Sequence, residues 1–184
     1  MRFEPTHLAG VFFVRLAPHQ DERGLFARTF CATEFIAVGI DFKPAQCNIS
    51  RNPASGTLRG MHFQLPPHGE AKLIQSVRGR VFDVAIDLRQ GSATLGQWLG
   101  TELSANGDTM LYIPEGFAHG FVTLEPDSDV LYYMGSPFVS GIGGGVRWND
   151  PAFGIDWPIE PTMISERDAT YPDFDRTLAL PCEG

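Results

Sequence analysis

The sequence has few cysteines, no excess of basic charge and no long apolar run. Its three cysteines, Cys31, Cys47 and Cys182, are odd in number and lack CxxC spacing, which favours free thiols in a reducing compartment. The formal net charge of −8 leaves no basic stripe, so a general nucleic-acid binder is not expected. No segment resembles a signal peptide or a bilayer span, which predicts a cytoplasmic protein without a membrane partner.

Glycine and proline, in contrast, are abundant. The 184 residues include 20 Gly and 14 Pro, and 43% of all residues are hydrophobic. This composition predicts one soluble domain over residues 1–184, rich in turns and in short strands. No internal repeat, low-complexity block or linker divides the chain. The tail from about residue 172 is expected to be peripheral.

Runs of β-branched and aromatic residues, separated by turn signals, predict an all-β sandwich or barrel. In the clearest run, Val81–Asp87, apolar residues alternate with Asp83 and Asp87 on the opposite face. A short helix is predicted over 32–38 and a helical turn over 165–168. The glycine cluster 141–145 precedes no helical pattern, so it predicts a mobile loop, not a phosphate-binding loop. Strands are predicted over 11–16, 25–30, 44–51, 57–64, 71–78, 80–87, 96–104, 109–113, 117–124 and 128–134.

The strand 57–64 carries polar side chains where a core strand would carry apolar ones. Strict alternation places His62 and Gln64 on one face and Arg59 on the other. Buried polar groups cost free energy unless they find partners, so this strand is expected to line a pocket. Lys72 on the following strand and His119 between aromatic residues are expected to complete the lining.

An imidazole suits proton transfer near neutral pH, but a metal site is the competing interpretation. The segments His62-Phe63-Gln64 and Pro114-x-Gly116-x-x-His119 resemble the two half-motifs of the cupin jelly roll. In metal-binding cupins the first half supplies a His-x-His pair, and here Gln64 stands in place of the second His. Two histidines and an amide are a poor ligand set for a transition metal. No metal is therefore expected, and a metal-dependent cupin oxygenase is the alternative.

Each candidate also has a purely structural interpretation. Lys72 fits a solvated lysine on an edge strand, and Tyr132 fits a strand aromatic with its hydroxyl at the rim. Ser165-x-x-Asp168 is a capping-box pattern, in which the carboxylate satisfies backbone donors at a helix start. A lone His62 could likewise be structural or merely exposed.

Several longer motifs resemble the dTDP-4-dehydrorhamnose 3,5-epimerase family. They follow in family order from about Gly10 to Pro172, and they are Asp21–Gly24, Leu58–Gln64, Val81–Asp87, Ile113–Phe121, Arg147–Pro151, Gly154–Pro158 and Ser165–Asp168. The resemblance implies a cupin-type jelly-roll barrel with short peripheral helices and no cofactor. It also implies a homodimer with exchanged N-terminal strands and a nucleotide-diphosphate sugar as substrate.

The resemblance further implies residue roles. His62 would remove the proton beside the 4-keto group of the sugar and would be oriented by Asp168. Tyr132 would return a proton on the opposite face, while Lys72 would stabilise the enolate oxygen. Phe26 would reach the nucleotide base across the dimer. The full set of implied substrate-binding residues is Arg23, Phe26, Arg28, Gln46, Asn48, Arg59, His119 and Phe138.

The sequence departs from the family pattern in ways that bear on the substrate. Arg28 stands where the family usually has Glu near the base, and Pro137-Phe138 where a Tyr-Tyr pair is common. They leave open which nucleotide is bound and whether one or both carbons beside the ketone are inverted. Inversion needs a base, an acid on the other face and a cation at the developing oxyanion. A sugar-nucleotide binding module without catalysis is a further alternative.

Overall fold

The computed structural model describes residues 1–181 and confirms the all-β prediction. Two short helices, α1 (Ala32–Ala37) and α2 (Glu166–Ala169), and a 3₁₀ turn (Arg176–Leu178) lie at the periphery. Cys182 lies outside the described residues. The strands are β1 (Arg2–Pro5), β2 (Phe12–Arg15), β3 (His19–Asp21), β4 (Gly24–Phe26), β5 (Gln46–Asn52), β6 (Leu58–Gln64), β7 (Lys72–Arg78), β8 (Arg80–Asp87), β9 (Trp98–Ser104), β10 (Thr109–Ile113), β11 (Phe117–Thr123), β12 (Ser128–Met134) and β13 (Gly143–Gly145).

The strands form two antiparallel sheets and a separate hairpin. One sheet has six strands in the order β1-β2-β10-β7-β12-β5, and the other has five in the order β13-β6-β11-β8-β9. The hairpin consists of β3 and β4. From β5 to β13, successive strands of the chain alternate between the two sheets except for β8 and β9, which is the arrangement of a jelly roll. The predicted cupin-type barrel is thereby confirmed.

The main core lies between the two sheets. The six-stranded sheet contributes Ile74, Leu111 and Val130, and the five-stranded sheet contributes Ala85 and Phe121 among others, all fully buried. Alternate residues of each strand point into this layer because side chains of a strand alternate between faces. The polar pocket described below opens beside this apolar layer.

The outer face of the five-stranded sheet is covered by the C-terminal part of the chain. Val84 and Ile86 on this face pack with Val146, Phe153 and Leu180. The tail from about residue 172, predicted to be peripheral, returns to the sheet at Leu180, whose backbone N–H donates to Leu88 O over 2.7 Å. Both faces of β8 are therefore buried.

The predicted strands lie close to the observed ones, with differences at both ends of the chain. Gly143–Gly145 is a strand paired with the edge of β6, not the predicted mobile loop. The short strand β1 was not predicted, and the strand predicted over 25–30 ends at Phe26. The helix α1 has six residues, one fewer than predicted. No helix within residues 1–181 is long and apolar enough to cross a bilayer.

Candidate active site

A cavity of about 500 Å³ opens between the two sheets. The six-stranded sheet contributes Lys72 from β7 and Tyr132 from β12, and the five-stranded sheet contributes His62 from β6 and His119 from β11. The two histidines are direct register partners on neighbouring strands. The cavity thus brings together the residues that the sequence predicts to line one pocket.

His62 forms a dyad with Asp168. The ring Nε2 donates to Asp168 Oδ1 over 2.7 Å, and Asp168 Oδ2 accepts the backbone N–H of Gly60 at 3.1 Å. Because Nε2 carries the proton in this hydrogen bond, Nδ1 of the neutral ring is the nitrogen that can accept another. The carboxylate therefore does not act as a helix cap. Ser165 alone fills that role, since its Oγ accepts the N–H of Asp168.

The electrostatics of the dyad favour an ionised carboxylate. Burial raises the pKa of the Asp168 carboxyl, but the hydrogen bond and charge of His62 and the N–H of Gly60 outweigh burial and hold that pKa below its usual value. An ionised Asp168 fixes the His62 tautomer and stabilises the imidazolium that forms when the ring takes a proton. The arrangement is that of a general base with its orienting carboxylate.

A bulge in β6 brings Arg59 into the same cavity as His62. His119 pairs with His62 but Phe121 pairs with Arg59, so β6 has one more residue than β11 over this stretch. An extra residue reverses the alternation, which corrects the prediction that Arg59 and His62 point to opposite faces. Both side chains line the cavity, and Arg59 Nε donates to Asn52 Oδ1 over 2.8 Å.

A second imidazole–carboxylate pair lies at the wall of the cavity. His119 Nε2 donates to the Asp83 carboxylate and lies 3.0 Å from Oδ1 and 2.9 Å from Oδ2. The His119 ring packs edge-on against the ring of Tyr132 at a centroid distance of 5.9 Å. Burial raises the pKa of the Tyr132 phenol, the Asp83 carboxylate raises it further and Arg59 only partly opposes them. Tyr132 is therefore held as a neutral phenol inside the cavity, not as a rim aromatic.

Lys72 is buried on a central strand, not solvated on an edge strand. Its neighbours β10 and β12 place Ile113 and Met134 on its two sides. The ammonium Nζ lies 2.9 Å from Glu70 Oε1, and both side chains are less than a tenth exposed. A cation held in this way inside a cavity can stabilise an oxyanion that forms beside it.

Three more predicted residues line the rim of the cavity. Gln46 Oε1 accepts the backbone N–H of Phe138 over 2.9 Å, and Asn48 lies in register with Tyr132 on the neighbouring strand. Phe138 is 64% exposed at the mouth. The rim thus combines amide groups with an accessible aromatic ring.

Arg23, Phe26 and Arg28 do not line the cavity of their own chain. Arg23 and Phe26 belong to the β3–β4 hairpin, where they are 86% (side chain) and 76% exposed, respectively, and Arg23 pairs with Asp21. Arg28 Nη1 donates to Glu34 Oε1 over 2.7 Å. Their predicted contact with substrate would need a second copy of the chain.

Sequence reasoning missed three groups at the cavity. Asp83 had a signal, because the alternation in β8 places it on the face opposite Val84 and Ile86. Glu70 lies two residues before Lys72, ahead of the start of β7, and no motif draws attention to it. Arg167 lines the cavity beside Gly144, and its Nη2 donates to Gly143 O over 3.4 Å. Nothing in the local sequence predicts the position of Arg167.

The described part of the chain, residues 1–181, has no group of three or more His, Cys, Asp or Glu residues arranged to hold a metal ion. Each histidine of the cavity instead hydrogen-bonds to one carboxylate. The cavity thus holds an imidazole–carboxylate dyad, a neutral phenol and an ammonium inside a jelly roll. This fold and this set of groups are typical of a cupin-class enzyme that moves protons.

Comparison with known proteins gives the family. The model of the dTDP-4-dehydrorhamnose 3,5-epimerase family matches residues 5–176, and the chain belongs to this family. It is an isomerase of the epimerase type. The chain is 40% identical to the dTDP-4-dehydrorhamnose 3,5-epimerase of Sinorhizobium fredii over 175 residues, which are 95% of this chain and 90% of that protein.

Two further relatives bear on the substrate and on the reaction. A dTDP-6-deoxy-D-glucose-3,5-epimerase of Legionella pneumophila, solved in complex with dTDP-4-keto-L-rhamnose, superposes with a TM-score of 0.92 at 32% identity, covering 100% of this chain and 99% of that one. A dTDP-4-dehydrorhamnose 3-epimerase of Streptomyces niveus is 36% identical over 91% of this chain and 81% of that protein. The family therefore includes a member named for one inverted centre.

Proposed function

We propose that this enzyme inverts carbons beside the ketone of a dTDP-linked 4-keto-6-deoxy sugar by proton removal and return. The observation that carries the proposal is the position of the His62–Asp168 dyad and of Tyr132 on facing sheets around one cavity. A base and an acid on opposite sides of a bound ring allow a proton to leave one face and to return on the other. The names of the family relatives support the substrate class.

In the first step, His62 takes the proton from the carbon beside the carbonyl. The C–H electron pair moves into the new carbon–carbon double bond of the enolate, and the carbonyl oxygen gains the negative charge. Lys72, whose buried side chain lines the cavity, donates a hydrogen bond to the oxyanion. Asp168 stabilises the imidazolium that His62 has become.

In the second step, Tyr132 gives its hydroxyl proton to the same carbon from the opposite face. The enolate returns to the ketone, and the configuration at that carbon is inverted. A phenol with a raised pKa holds its proton until the carbanion-like carbon takes it, and solvent then restores both groups. The buried surroundings of Tyr132 support this role.

The rim of the cavity is the proposed site of the nucleotide diphosphate. Arg59 supplies guanidinium donors for anionic oxygens, and Gln46 and Asn48 supply amides. Arg23 and Phe26 would complete the site from a second subunit, which supports a homodimer with exchanged N-terminal strands. The exposed Phe26 and Leu25 side chains of the hairpin are apolar surface that such a dimer would cover.

A reducing compartment, and so the cytoplasm, is the proposed location. Cys31 and Cys47 are free thiols within the described chain. Cysteines that form no disulfide are typical of proteins kept under reducing conditions.

The test of the proposed function is solvent exchange. The enzyme is incubated in D₂O with dTDP-4-keto-6-deoxy-glucose, and deuterium at carbons 3 and 5 is followed by NMR. Incorporation at one or both carbons with formation of an epimer is the expected result. Nucleotide binding without any exchange would instead identify a binding module, and exchange that is lost on metal chelation would identify a metal enzyme.

A single-centre epimerase is the second candidate, favoured by Phe138 at the cavity mouth. Inversion at both carbons requires the sugar ring to flip so that the second C–H faces the same base. Phe138 offers aromatic bulk to a flipped ring but no hydroxyl donor. Counting deuterium at the two carbons separates the candidates, because a single-centre enzyme labels one carbon much faster than the other.

A further inference from the structure

A buried carboxylate that no sequence motif marks lies against the lysine of the cavity. The Glu70 side chain is 8% exposed and that of Lys72 is 5% exposed, and Glu70 Oε1 is 2.9 Å from Lys72 Nζ. The other carboxylate oxygen, Oε2, accepts the side-chain N–H of Gln64 over 3.0 Å. Both oxygens of Glu70 are thus engaged by donors that line the same cavity.

Gln64 extends this contact to the wall of the cavity. Its Oε1 accepts the backbone N–H of Val139 over 3.0 Å, and its Nε2 lies 3.4 Å from the carbonyl oxygen of Pro137. The segment 137–139 carries Phe138, which faces the mouth. One carboxylate therefore holds both the cation of the cavity and, through one amide, the wall segment beside it.

We propose that Glu70 is the positioning residue that fixes the Lys72 ammonium at the place where the enolate oxygen forms. This inference rests on the proposed function, because it takes the role of Lys72 from there. A lysine side chain has four rotatable bonds, and an oxyanion donor is effective only when it is aimed before the charge develops. Within residues 1–181, Glu70 is the carboxylate that forms an ion pair with Lys72.

The site needs a carboxylate because two donors converge on residue 70. A carboxylate accepts on both oxygens, whereas a glutamine side chain accepts on one and donates from the other end. Glutamine at position 70 would set its amide N–H against either Lys72 or Gln64. Turning the Gln64 amide to accept would in turn point its NH₂ group at the N–H of Val139. The mismatch therefore cannot be removed by one rotation.

The experiment compares Glu70→Gln, Lys72→Met and the double variant, with kcat and KM of the deuterium exchange measured separately. Glu70→Gln is expected to lower kcat by about 10- to 100-fold. KM and the dissociation constant of dTDP should change by no more than about 2-fold, because Glu70 is not among the residues proposed to hold the diphosphate. In the Lys72→Met background, Glu70→Gln should cause no further loss, because Glu70 acts through the lysine.

Glu115→Gln is the matched control. The Glu115 carboxylate packs over Gly69, the residue before Glu70, and lines a different cavity from that of Lys72, so its loss is expected to leave kcat unchanged. Glu70→Asp is the second test variant, since it retains the charge of the buried pair and so avoids an unpaired ammonium. Its carboxylate is one methylene shorter, so kcat should fall, but less than in Glu70→Gln.

Two results would overturn the inference. One is wild-type kcat in both Glu70→Gln and Glu70→Asp. The other is an equal loss from Glu70→Gln with and without Lys72, which would show that Glu70 acts independently of the lysine. Absence of exchange in the wild-type enzyme contradicts the proposed function instead, so the two failures are distinguishable.

Discussion

The backbones of Gly60 and Gly120 pass so close that a Cβ atom on Gly60 would lie 2.6 Å from the Cα of Gly120. Gly60 also has φ +129°, a conformation that side chains rarely adopt. This contact lies at the bulge of β6 that turns both Arg59 and His62 into the cavity. The geometry of the base thus depends on two residues without side chains.

Gly60→Ala is therefore expected to be strongly destabilising. The unfavourable φ costs about 1–3 kcal/mol and the overlap with backbone atoms adds a similar amount. Gly91→Ala is the matched control, because Gly91 has φ +78° but no atom within 4 Å of the added Cβ. Denaturant unfolding should give a loss of about 1–2 kcal/mol for the control and clearly more for Gly60→Ala. Equal losses would mean that the close approach does not matter.

Asp168→Asn is expected to slow deuterium exchange at least about 100-fold while the protein stays folded. The amide can no longer stabilise the imidazolium, and one of its two ends mismatches the donors of His62 and Gly60. His68→Ala is the control for general effects near the cavity, since only the backbone of His68 contacts Gln64. A loss of stability of about 1 kcal/mol without a loss of rate would instead assign Asp168 a capping role.

The same residue predicts a pH dependence of stability. The pKa of Asp168 is lower in the folded than in the unfolded chain, so its contribution is full above the unfolded pKa of about 3.9 and is lost as pH falls through the folded value. Asp87 behaves similarly. Burial raises the pKa of its carboxyl, but hydrogen bonds from Arg89, Ser92 and Thr94 outweigh burial and lower that pKa. Unfolding free energy measured between pH 6 and acid should fall less steeply in Asp168→Asn than in the wild type. If unfolding free energy fell equally steeply with pH in both proteins, the lowered pKa of Asp168 would be contradicted.

Arg28 tests the predicted choice of nucleotide. It pairs with Glu34, and we expect it to face the base in the site of a partner subunit. A guanidinium only donates hydrogen bonds, whereas the family's carboxylate accepts them, so dTDP should be less preferred than is usual in the family. Arg28→Glu should raise the preference for dTDP over other nucleoside diphosphates by about 10-fold in calorimetric titrations. Arg2→Glu makes the same change in net charge at another exposed site, and it should have no effect. A strong preference for dTDP that is the same in the wild type and in Arg28→Glu would contradict the prediction.

Phe138 tests the number of inverted centres. If the missing hydroxyl disfavours the flipped sugar ring, Phe138→Tyr should raise the slower of the two exchange rates by about 3- to 10-fold. Phe138→Leu separates bulk from hydrogen bonding, because it removes the ring without adding a donor. Rapid and equal deuterium incorporation at carbons 3 and 5 in the wild type would exclude the single-centre candidate.

The sequence predicts the strands and most of the cavity because both follow from local patterns. Alternation in β8 and the half-motifs around His62 and His119 are local, and the jelly roll follows from many short strands. The face of Arg59 was not predictable by alternation, because the bulge depends on contact with Gly120, sixty positions away in a different strand. The strand Gly143–Gly145 was not predictable for a similar reason. Three glycines have no side chains whose alternation could indicate a strand, and this segment is a strand because it pairs with the free edge of β6.

The local patterns do not give the hydrogen-bond partners of the site residues, and for Asp168 only the family resemblance predicts the contact with His62. The capping-box pattern correctly places Ser165 at the start of α2, but it cannot show that Asp168 turns to His62, 106 residues away. Local sequence likewise cannot show whether Lys72 is buried or solvated. That depends on whether its strand is central or at an edge, which the order of strands in the sheet determines. Glu70 becomes significant only when Lys72 and Gln64 are seen to converge on it.

The central claim is that His62 and Tyr132 act on opposite faces of the same carbon. The two steps can be separated, because exchange requires only the base, whereas inversion requires the acid as well. Tyr132→Phe removes one hydroxyl and retains the ring that packs on His119. His62→Ala removes the base.

The most direct measurement is the ratio of deuterium exchange to epimer formation in D₂O for the wild type, His62→Ala and Tyr132→Phe. We predict that His62→Ala loses both, and that Tyr132→Phe continues to exchange with retained configuration while epimer formation falls by about 100-fold or more. Substantial inversion by Tyr132→Phe, or substantial exchange by His62→Ala, would contradict the account.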